Sequence, residues 1–511
     1  MSNSERLKVA TIMNFVRQCE PRDAENDKVL FDTTRKQLEF CVRSGKDHTF
    51  LLQYDTLCDD RYIELFNKKA TKQTEIGLWF EIVEPLTSKV GLEYRSEYGW
   101  KWDWHIIPGF SMAYKTNERE MLIDEAMRKF KERFGEYPRT VGSWLIDTHT
   151  VNYLTEHYDI DAFCICRDQT NTDAYTLVGG YFNQAYYPSK NNMFTPAQSA
   201  KYRINTPVFR LLGPDPIHNY DGPKYGSPEK EGHVCWTLEA VWDAGKDEKM
   251  AEWYFNTYYE NEDLGFSYAQ LGQENSFGLS DLVTPLKMQL SKLDRHENIK
   301  YLKMKDAGRE FKERYPKKTP ATCVAALDNW DSEDIQSVYY DSQNYTANIF
   351  RHGKKLFFRS FYLFDEKVPE HYIEKPCKTF YAVYENLPIV DTVTWAEKEM
   401  DAGMTIDECV EPFTVSRSGK TKLKIKLKDR TVVKFSEDKI EVDTDRLVYD
   451  PFDAKAKMKV AKGGEGIEYE YNGAKYFLRA QNAKTSKKDG KVFVIKRIDK
   501  DAPVALIPER R

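Results

Sequence analysis

The sequence predicts an α/β fold, with a distorted (β/α)7-type barrel over residues 1–320 followed by an all-β sandwich over residues 321–511. Up to about residue 315, apolar strand-like runs alternate with amphipathic helical runs, and about seven such units fit. This alternation is typical of a parallel sheet with right-handed crossovers. A segment rich in Pro and Lys at 316–320 then marks a boundary, after which the apolar period becomes two.

The barrel units follow one another in a regular order. The first strand is predicted at Leu7–Val16, and the first helix, at 31–43, ends at Gly45. Further strands are predicted at 48–54, 75–83, 142–149, 162–167, 207–212 and 265–271, with helices at 59–69, 116–134, 151–158, 234–259, 279–293 and 307–315. The strand at 142–149 is expected to be buried and to end in Asp147 and His149.

The second domain is predicted to contain about ten to twelve short strands. Glycine-containing turns separate them, for example at Asn472–Gly473 and Asp489–Gly490. The clearest strand patterns lie at 336–340, 345–350, 356–363, 389–394, 423–427, 431–435, 467–471 and 492–495.

The composition excludes several classes of partner. The net charge is -5 and the pI is about 6.1, so neither a nucleic acid nor an anionic membrane is expected. No apolar run reaches the ~18 residues of a membrane span, and the N-terminus lacks the pattern of a signal peptide. We therefore expect a cytoplasmic protein, or a periplasmic one if a leader was removed. The oligomeric state stays open.

Aromatic residues are unusually frequent, with 32 Tyr, 28 Phe and 10 Trp. They could form a large core, or they could bind carbohydrate, because the C–H faces of sugars stack on aromatic rings. Trp100, Trp102 and Trp104 alternate with polar residues and would share one side of an extended segment. A core cluster and a sugar-stacking platform are about equally compatible with that spacing.

Acidic side chains follow several of the predicted strands, where a β/α barrel places its site. Hydrolysis of a glycosidic bond needs two carboxyl groups, one acting as an acid and the other as a base or nucleophile. We predict Asp147 and Glu274 as this pair, with the two roles left open, and Glu81 as the reserve. Each of these acids could instead pair with an arginine or cap a helix.

The predicted sugar-binding residues surround these acids. They are Trp79, Trp102, Trp104 and Trp144 as stacking rings, Arg167, Asp168, Gln169 and Gln273 as hydrogen-bonding groups, and Asp103, His105 and His149 nearby. The histidines could equally be hydrogen-bonded barrel residues. Phosphate-binding, nucleophile-elbow and HExxH motifs are absent from the sequence, which argues against those chemistries.

Two segments resemble a known superfamily. The EIG at 75–77, followed by an aromatic strand end, is similar to the EIG-H-x-x-x-H segment of polysaccharide deacetylases. GSWLID at 142–147, with Leu154 and the later Arg167 and Asp168, resembles the G-x-WLPE segment of family 57 glycoside hydrolases. The N-terminal region thus resembles the (β/α)7 barrels that contain these two groups and the family 38 glycoside hydrolases. The whole layout is similar to a gut-bacterial family of paired domains of unknown function that carries a glycosidase label.

The chain also departs from these families. Trp79 and Val83 stand where the deacetylases have metal-binding histidines, and the Asp-Asp pair that follows their first strand is missing. We therefore predict no metal and no other cofactor. Asp147 stands where family 57 has its acidic Glu.

The resulting prediction is a metal-independent glycoside hydrolase that acts on an oligo- or polysaccharide. One alternative is a metal-dependent carbohydrate deacetylase with ligands drawn from Asp55, His105, Asp147 and His149. The other is a glycan-binding protein on a barrel that has lost catalysis.

Overall fold

A computed structural model describes residues 6–21, 26–172, 174–220, 236–276, 283–331, 333–395, 403–428 and 430–511. The strands of the first half are β1 (Leu7–Val16), β2 (His48–Leu52), β3 (Thr74–Trp79), β4 (Thr140–Gly142), β5 (Ala162–Ile165), β6 (Gln169–Thr172), β7 (Tyr175–Val178), β8 (Ala185–Tyr186), β9 (Pro188–Ser189), β10 (Asn192–Pro196), β11 (Val208–Arg210), β12 (Phe266–Leu271) and β13 (Ile299–Tyr301).

Helices connect most of these strands. They are α1 (Asn26–Ser44), α2 (Tyr54–Leu57), α3 (Asp60–Lys69), α4 (Glu84–Lys89), α5 (Ile106–Gly109), α6 (Thr116–Phe134), α7 (Thr148–His157), α8 (Asp243–Lys246), α9 (Glu248–Tyr259), α10 (Val283–Leu293) and α11 (Met304–Arg314). None of the described helices is both long enough and apolar enough to cross a membrane.

Seven parallel strands form the barrel, in the order β12-β1-β2-β3-β4-β5-β11. The barrel strands are buried on both faces, as in β1 and β12. The predicted α/β class, with a (β/α)7-type barrel ahead of a β-rich part, is confirmed. The limit between the two domains at residue 320 stays a prediction.

The barrel is distorted where its ends meet. Within the described residues β11 pairs with β5 and β8, and β12 pairs with β1, so no ladder joins β11 to β12. Side chains bridge this gap instead. The backbone N–H of Leu212 donates to Oε1 of Gln270 at 2.7 Å, and the rings of Phe209 and Tyr268 lie 5.1 Å apart. The gap is therefore packed and hydrogen-bonded without a continuous sheet.

The fourth barrel strand is shorter than the sequence suggests. It ends at Gly142, whereas the prediction extended it to His149. Asp147 lies at the N-cap of α7, where its side chain accepts from the Thr150 N–H. An Asp before the first turn of a helix marks the start of that helix. The sequence prediction places Asp147 at the end of a strand instead.

The second half contains a nine-stranded and an eight-stranded antiparallel sheet. This exceeds the predicted ten to twelve strands, because short strands such as Ala483–Lys488 carry mostly polar residues and lack an apolar pattern. The strands are β14 (Thr322–Ala326), β15 (Ile335–Asp341), β16 (Tyr345–His352), β17 (Lys355–Leu363), β18 (Ala382–Glu385), β19 (Leu387–Asp391), β20 (Gly403–Asp407), β21 (Thr414–Arg417), β22 (Leu423–Leu427), β23 (Arg430–Ser436), β24 (Lys439–Val442), β25 (Arg446–Asp450), β26 (Lys457–Val460), β27 (Gly466–Tyr471), β28 (Ala474–Gln481), β29 (Ala483–Lys488), β30 (Val492–Arg497) and β31 (Val504–Arg510).

The two halves are interlocked. β18 from the second half pairs in parallel with β7 from the first, in a three-stranded sheet that also contains β6. Phe182 stacks on Tyr339 across the same boundary, with ring centroids 3.8 Å apart. The second half therefore completes part of the structure of the first.

Candidate functional site

The carboxyl ends of four barrel strands bring a group of polar side chains together. Arg17 follows β1, Gln53 follows β2, Glu81 follows β3 and Glu274 follows β12. Parallel strands end at the same rim, so these residues converge there, and the loop residue Trp102 joins them. We call these five residues the rim cluster.

Glu274 reaches Arg17 because the end of β12 passes very close to β1. Gly272 has a φ of 93°, and a Cβ at this position would lie 2.1 Å from the Met13 carbonyl oxygen. The backbone beyond it pairs with Phe15, whose N–H donates to the Gln273 carbonyl at 3.3 Å. Only glycine permits this conformation and this approach.

Arg17 lies between the two carboxylates. Its Nη2 atom is 3.0 Å from Oε2 of Glu274 and 3.6 Å from Oε2 of Glu81, and its guanidinium lies 3.9 Å from the centre of the Trp102 ring. Both carboxylates contact the same nitrogen, so these two oxygens can be no further apart than the two contacts taken together. A third acid, Glu20, lies 3.9 Å from Nη1.

Glu81 is almost completely buried. Trp102 Nε1 and Gln53 Nε2 donate hydrogen bonds to its Oε2 at 2.8 and 3.1 Å. Burial raises the pKa of Glu81 to about 7; Arg17 and the Trp102 hydrogen bond oppose this rise, and the nearby charge of Glu274 adds to it. Glu81 is therefore still partly protonated near neutral pH, while Glu274 forms an ion pair with Arg17. Two carboxyl groups in such different environments are typical of an acid and its partner in catalysis.

Several buried polar atoms at this rim have no hydrogen-bond partner within the described residues. They are Oε1 of Glu81, Oε1 of Gln53 and both amide atoms of Gln273. Buried polar groups in native proteins are nearly always paired. A polar ligand could pair with these atoms.

The predicted stacking rings divide into two kinds. Trp79 is buried beneath the rim, stacked on Phe15 at 4.5 Å and in edge contact with Trp144 at 5.2 Å. Its ring contacts are those of a core residue, and its indole N–H also faces Glu81, whose pKa it lowers. Trp144 is partly exposed, so a ligand could reach it, whereas Trp102 is buried in the structure and contacts Arg17 and Glu81.

Asp147 lies in a different cluster. It is buried, and its Oδ1 is 2.8 Å from Nη1 of Arg119. Burial raises its pKa, but Arg119 and hydrogen bonds from Ser111 and Thr150 lower it overall. These contacts favour a structural ion pair, and none of them reaches Glu81 or Glu274. The catalytic role of Asp147 stays a prediction.

Asp103, Trp104 and His105 lie beside the rim cluster. Asp103 is buried and accepts a hydrogen bond from the Ser96 hydroxyl at 2.8 Å, and its Oδ1 is 2.7 Å from Nδ1 of His105. The Trp104 ring is partly exposed and lies 5.9 Å from the Trp102 ring.

The other predicted binding residues lie elsewhere. Asp168 forms an ion pair with Arg210 at 2.6 Å and accepts from the Tyr220 hydroxyl at 2.9 Å. Arg167 contacts Asn219 at 2.8 Å, Gln169 contacts the Cys166 thiol at 3.4 Å, and His149 contacts Glu120 at 3.1 Å. None of these contacts involves a residue of the rim cluster.

Sequence reasoning missed Arg17 and Gln53 as site residues. Both directly follow the end of a barrel strand, the same signal that identified Glu81 and Glu274. A lone arginine or glutamine at such a position has no motif of its own, so its partners become visible only in three dimensions.

The four residues considered as metal ligands do not come together. Asp55 accepts backbone N–H groups of Gln18 and Thr56, and His105, Asp147 and His149 have the separate partners described above. Among the described residues, the group whose donor atoms lie close enough for a cation is His218, Asp331 and Glu333. This does not favour a metal centre at the rim.

Solved structures show the same fold. The chain is similar to a Parabacteroides distasonis protein provisionally described as a glycoside hydrolase/deacetylase, with a TM-score of 0.55 and 14% identity over 75% of this chain and 91% of that chain. Lower similarity is found to a provisional polysaccharide deacetylase from Mycobacterium smegmatis (TM-score 0.39, 11% identity, 62% and 96% covered) and to a 4-alpha-glucanotransferase from Thermococcus litoralis (0.32, 10%, 99% and 98%). No family model matches the sequence, and neither does any curated protein. The first structure, at 14% identity, supports the fold alone.

Proposed function

We propose that the protein hydrolyses glycosidic bonds of an oligo- or polysaccharide, with Glu81 as the acid and Glu274 as the nucleophile. The observation that carries this proposal is the pair of carboxyl groups on one Arg17 nitrogen, one raised in pKa to about 7 and the other ion-paired. The Parabacteroides distasonis protein of the same fold is provisionally described as a glycoside hydrolase/deacetylase, which supports a carbohydrate substrate.

The spacing of the two carboxylates favours a double displacement. Retaining glycosidases hold their carboxyl groups about 5–5.5 Å apart and inverting ones about 6.5–9.5 Å apart. The contacts of Arg17, at 3.0 and 3.6 Å, limit the separation of the two oxygens to the lower part of this span. This upper limit excludes most of the inverting range for these two oxygens.

The reaction then proceeds in two balanced steps. In the first, Glu81 gives its proton to the leaving oxygen, the glycosidic C–O bond breaks, and a Glu274 oxygen bonds to the sugar carbon. In the second, Glu81 takes a proton from water, and the water oxygen displaces Glu274. Arg17 positions Glu274 and stabilises its charge between turnovers.

Two conservative variants test the assignment. We expect Glu81→Gln and Glu274→Gln each to lower kcat by about 10²-fold or more on a panel of α- and β-linked glycans, measured as new reducing ends. Glu84→Gln, at the start of α4 on the same side of the barrel, is the control and should keep full turnover. Unchanged turnover in both site variants would exclude the proposed pair.

Glycan binding without catalysis is a second candidate. The burial of both carboxyl groups, with Glu81 1% and Glu274 4% exposed, favours it. Glycans that bind without yielding any product would select this alternative. A third, metal-dependent deacetylation, would require bound metal by elemental analysis and loss of acetate release on chelation.

A further inference from the structure

A group of exposed and partly exposed aromatic rings lies beside the rim cluster. We call it the aromatic shelf; its members are Tyr98, Trp100, Trp104, His105, Phe380 and Tyr381. Tyr98 stacks on Trp100 with centroids 4.4 Å apart, and Trp104 stacks on His105 at 5.4 Å. Trp100 and Trp104 lie 4.9 Å apart, so the first four rings form one continuous surface.

The second half of the chain contributes the outer part of the shelf. The rings of Phe380 and Tyr381 stand edge-on to His105, at 5.2 and 6.2 Å. The Ile106 N–H donates to the Phe380 carbonyl at 3.0 Å, and Asp103 holds the His105 ring at 2.7 Å. These hydrogen bonds fix both segments, so the shelf is formed before any ligand arrives.

Packing does not account for the outer rings. Tyr98 is 56% exposed and Tyr381 is 63% exposed. Single exposed aromatics are common, but adjoining ones from two distant segments indicate a binding surface. Their position at a rim with paired carboxyl groups strengthens that interpretation.

The shelf is continuous with the proposed catalytic pair. The Trp104 ring lies 5.9 Å from the Trp102 ring, and Trp102 donates its indole N–H to Glu81 at 2.8 Å. From Glu81 outward, ring contacts therefore lead through Trp104 and His105 to Tyr381. One sugar ring covers about one aromatic side chain, so a ligand that reaches from Glu81 to Tyr381 must contain several units.

The charges near the shelf favour an uncharged ligand. Glu97 and Lys101 are both exposed there and have opposite signs. Single-stranded nucleic acid also stacks on aromatic rings, but it requires a positively charged groove along its backbone. The C–H faces of neutral sugars need only the rings and a few hydrogen-bonding groups.

We infer that the aromatic shelf binds a neutral glycan chain several units long and guides it to Glu81 and Glu274. This inference rests on the proposed function, because it names the class of substrate for the same site. It assigns substrate contacts to Tyr98, Trp100, Phe380 and Tyr381. It also makes the second half of the chain part of the binding surface.

Binding to intact polysaccharides tests the shelf without catalysis. The Glu274→Gln protein is run in native gels containing laminarin, xylan, hydroxyethylcellulose or amylopectin. We expect at least one of them to retard it, and Tyr98→Ala with Tyr381→Ala to weaken that binding about tenfold. Tyr137→Ala is the matched control, because this exposed tyrosine precedes β4 and so lies toward the opposite rim.

The outcomes separate the shelf from the catalytic proposal. The proposal that the shelf binds glycan is overturned if none of the four polysaccharides retards the protein. It is also overturned if the shelf variant is retarded as strongly as the protein with an intact shelf. A shelf variant that changes only the oligomeric state, measured by sedimentation, also overturns it and marks a self-association surface. Loss of glycan binding in the shelf variant, together with full turnover by Glu81→Gln, keeps the shelf and rejects the catalytic pair.

Discussion

At the scale of single residues, the rim cluster depends on the opposite effects of burial and charge. Burial raises the pKa of Glu81, and a lone buried arginine would be strongly unfavourable. Arg17 contacts both acids, but Glu274 more closely, at 3.0 Å against 3.6 Å. Burial is the main cause of the raised pKa of Glu81, and Arg17 offsets it only in part, whereas Glu274 forms the closer ion pair.

The raised pKa of Glu81 predicts how activity depends on pH. Since the acid must be protonated, kcat/KM should fall as pH rises above about 7. The measurement is a pH–rate profile of the free enzyme on its best substrate. If Glu81→Gln retains residual activity with the same alkaline limb, another group is the acid.

The same shift predicts how stability depends on pH. The folded protein holds the Glu81 proton up to pH about 7 and the unfolded chain releases it near pH 4.5, so stability falls as pH rises between these values. The contribution is about 3 kcal/mol at most. The free energy of unfolding of wild type minus that of Glu81→Gln should therefore decrease from pH 4.5 to 7.5 in urea denaturation. A flat difference would show that Glu81 titrates normally.

At the scale of elements, the ends of the barrel strands could be predicted from the sequence, whereas the distances between the side chains at those ends could not. The apolar runs and their order gave the seven barrel strands, because a parallel strand buried on both faces leaves a plain hydrophobic signal. The acidic residues that follow β3 and β12, Glu81 and Glu274, could be predicted from the sequence in the same way. That Glu81 and Glu274 share Arg17, whereas Asp147 lies with Arg119, depends on how the strands are ordered around the barrel. One sequence does not contain that information.

Asp147→Asn distinguishes a structural from a catalytic role at the start of α7. The substitution leaves the buried Arg119 charge without its partner, which should lower the free energy of unfolding by about 3 kcal/mol. If the role is structural, turnover per folded molecule should stay within about twofold of wild type. The control is Asp60→Asn, whose ion pair with Arg133 is exposed and should contribute about 1 kcal/mol or less. A large loss of kcat with normal stability would instead support the catalytic role.

At the scale of the whole molecule, the two halves could be predicted from the sequence, but the contacts that join them could not. The change of apolar period near residue 320 predicted a barrel followed by a β-rich part, and both are present. The pairing of β18 with β7 was not predictable, because a short edge strand carries no signal for a partner roughly 200 residues away. The shelf residues Phe380 and Tyr381 were missed for the same reason.

Separating the halves should therefore damage the barrel. A fragment of residues 1–320 leaves β7 without β18 and Phe182 without Tyr339. We expect it to elute as aggregates in size-exclusion chromatography, whereas the full chain elutes as a defined species. A fragment that is monodisperse and has native near-UV circular dichroism would show that residues 1–320 form an independent domain.

The pairing of β7 with β18 also delays completion of the fold during protein synthesis, because β18 is made long after β7. The ribosome makes β7 (Tyr175–Val178) roughly 200 residues before β18 (Ala382–Glu385), which at about 5–20 residues per second takes about 10–40 s. Throughout that time the nascent chain carries an open strand edge, which is a binding site for chaperones and for other unfinished chains. The pace of translation, rather than the intrinsic speed of barrel formation, then determines when the native structure is complete.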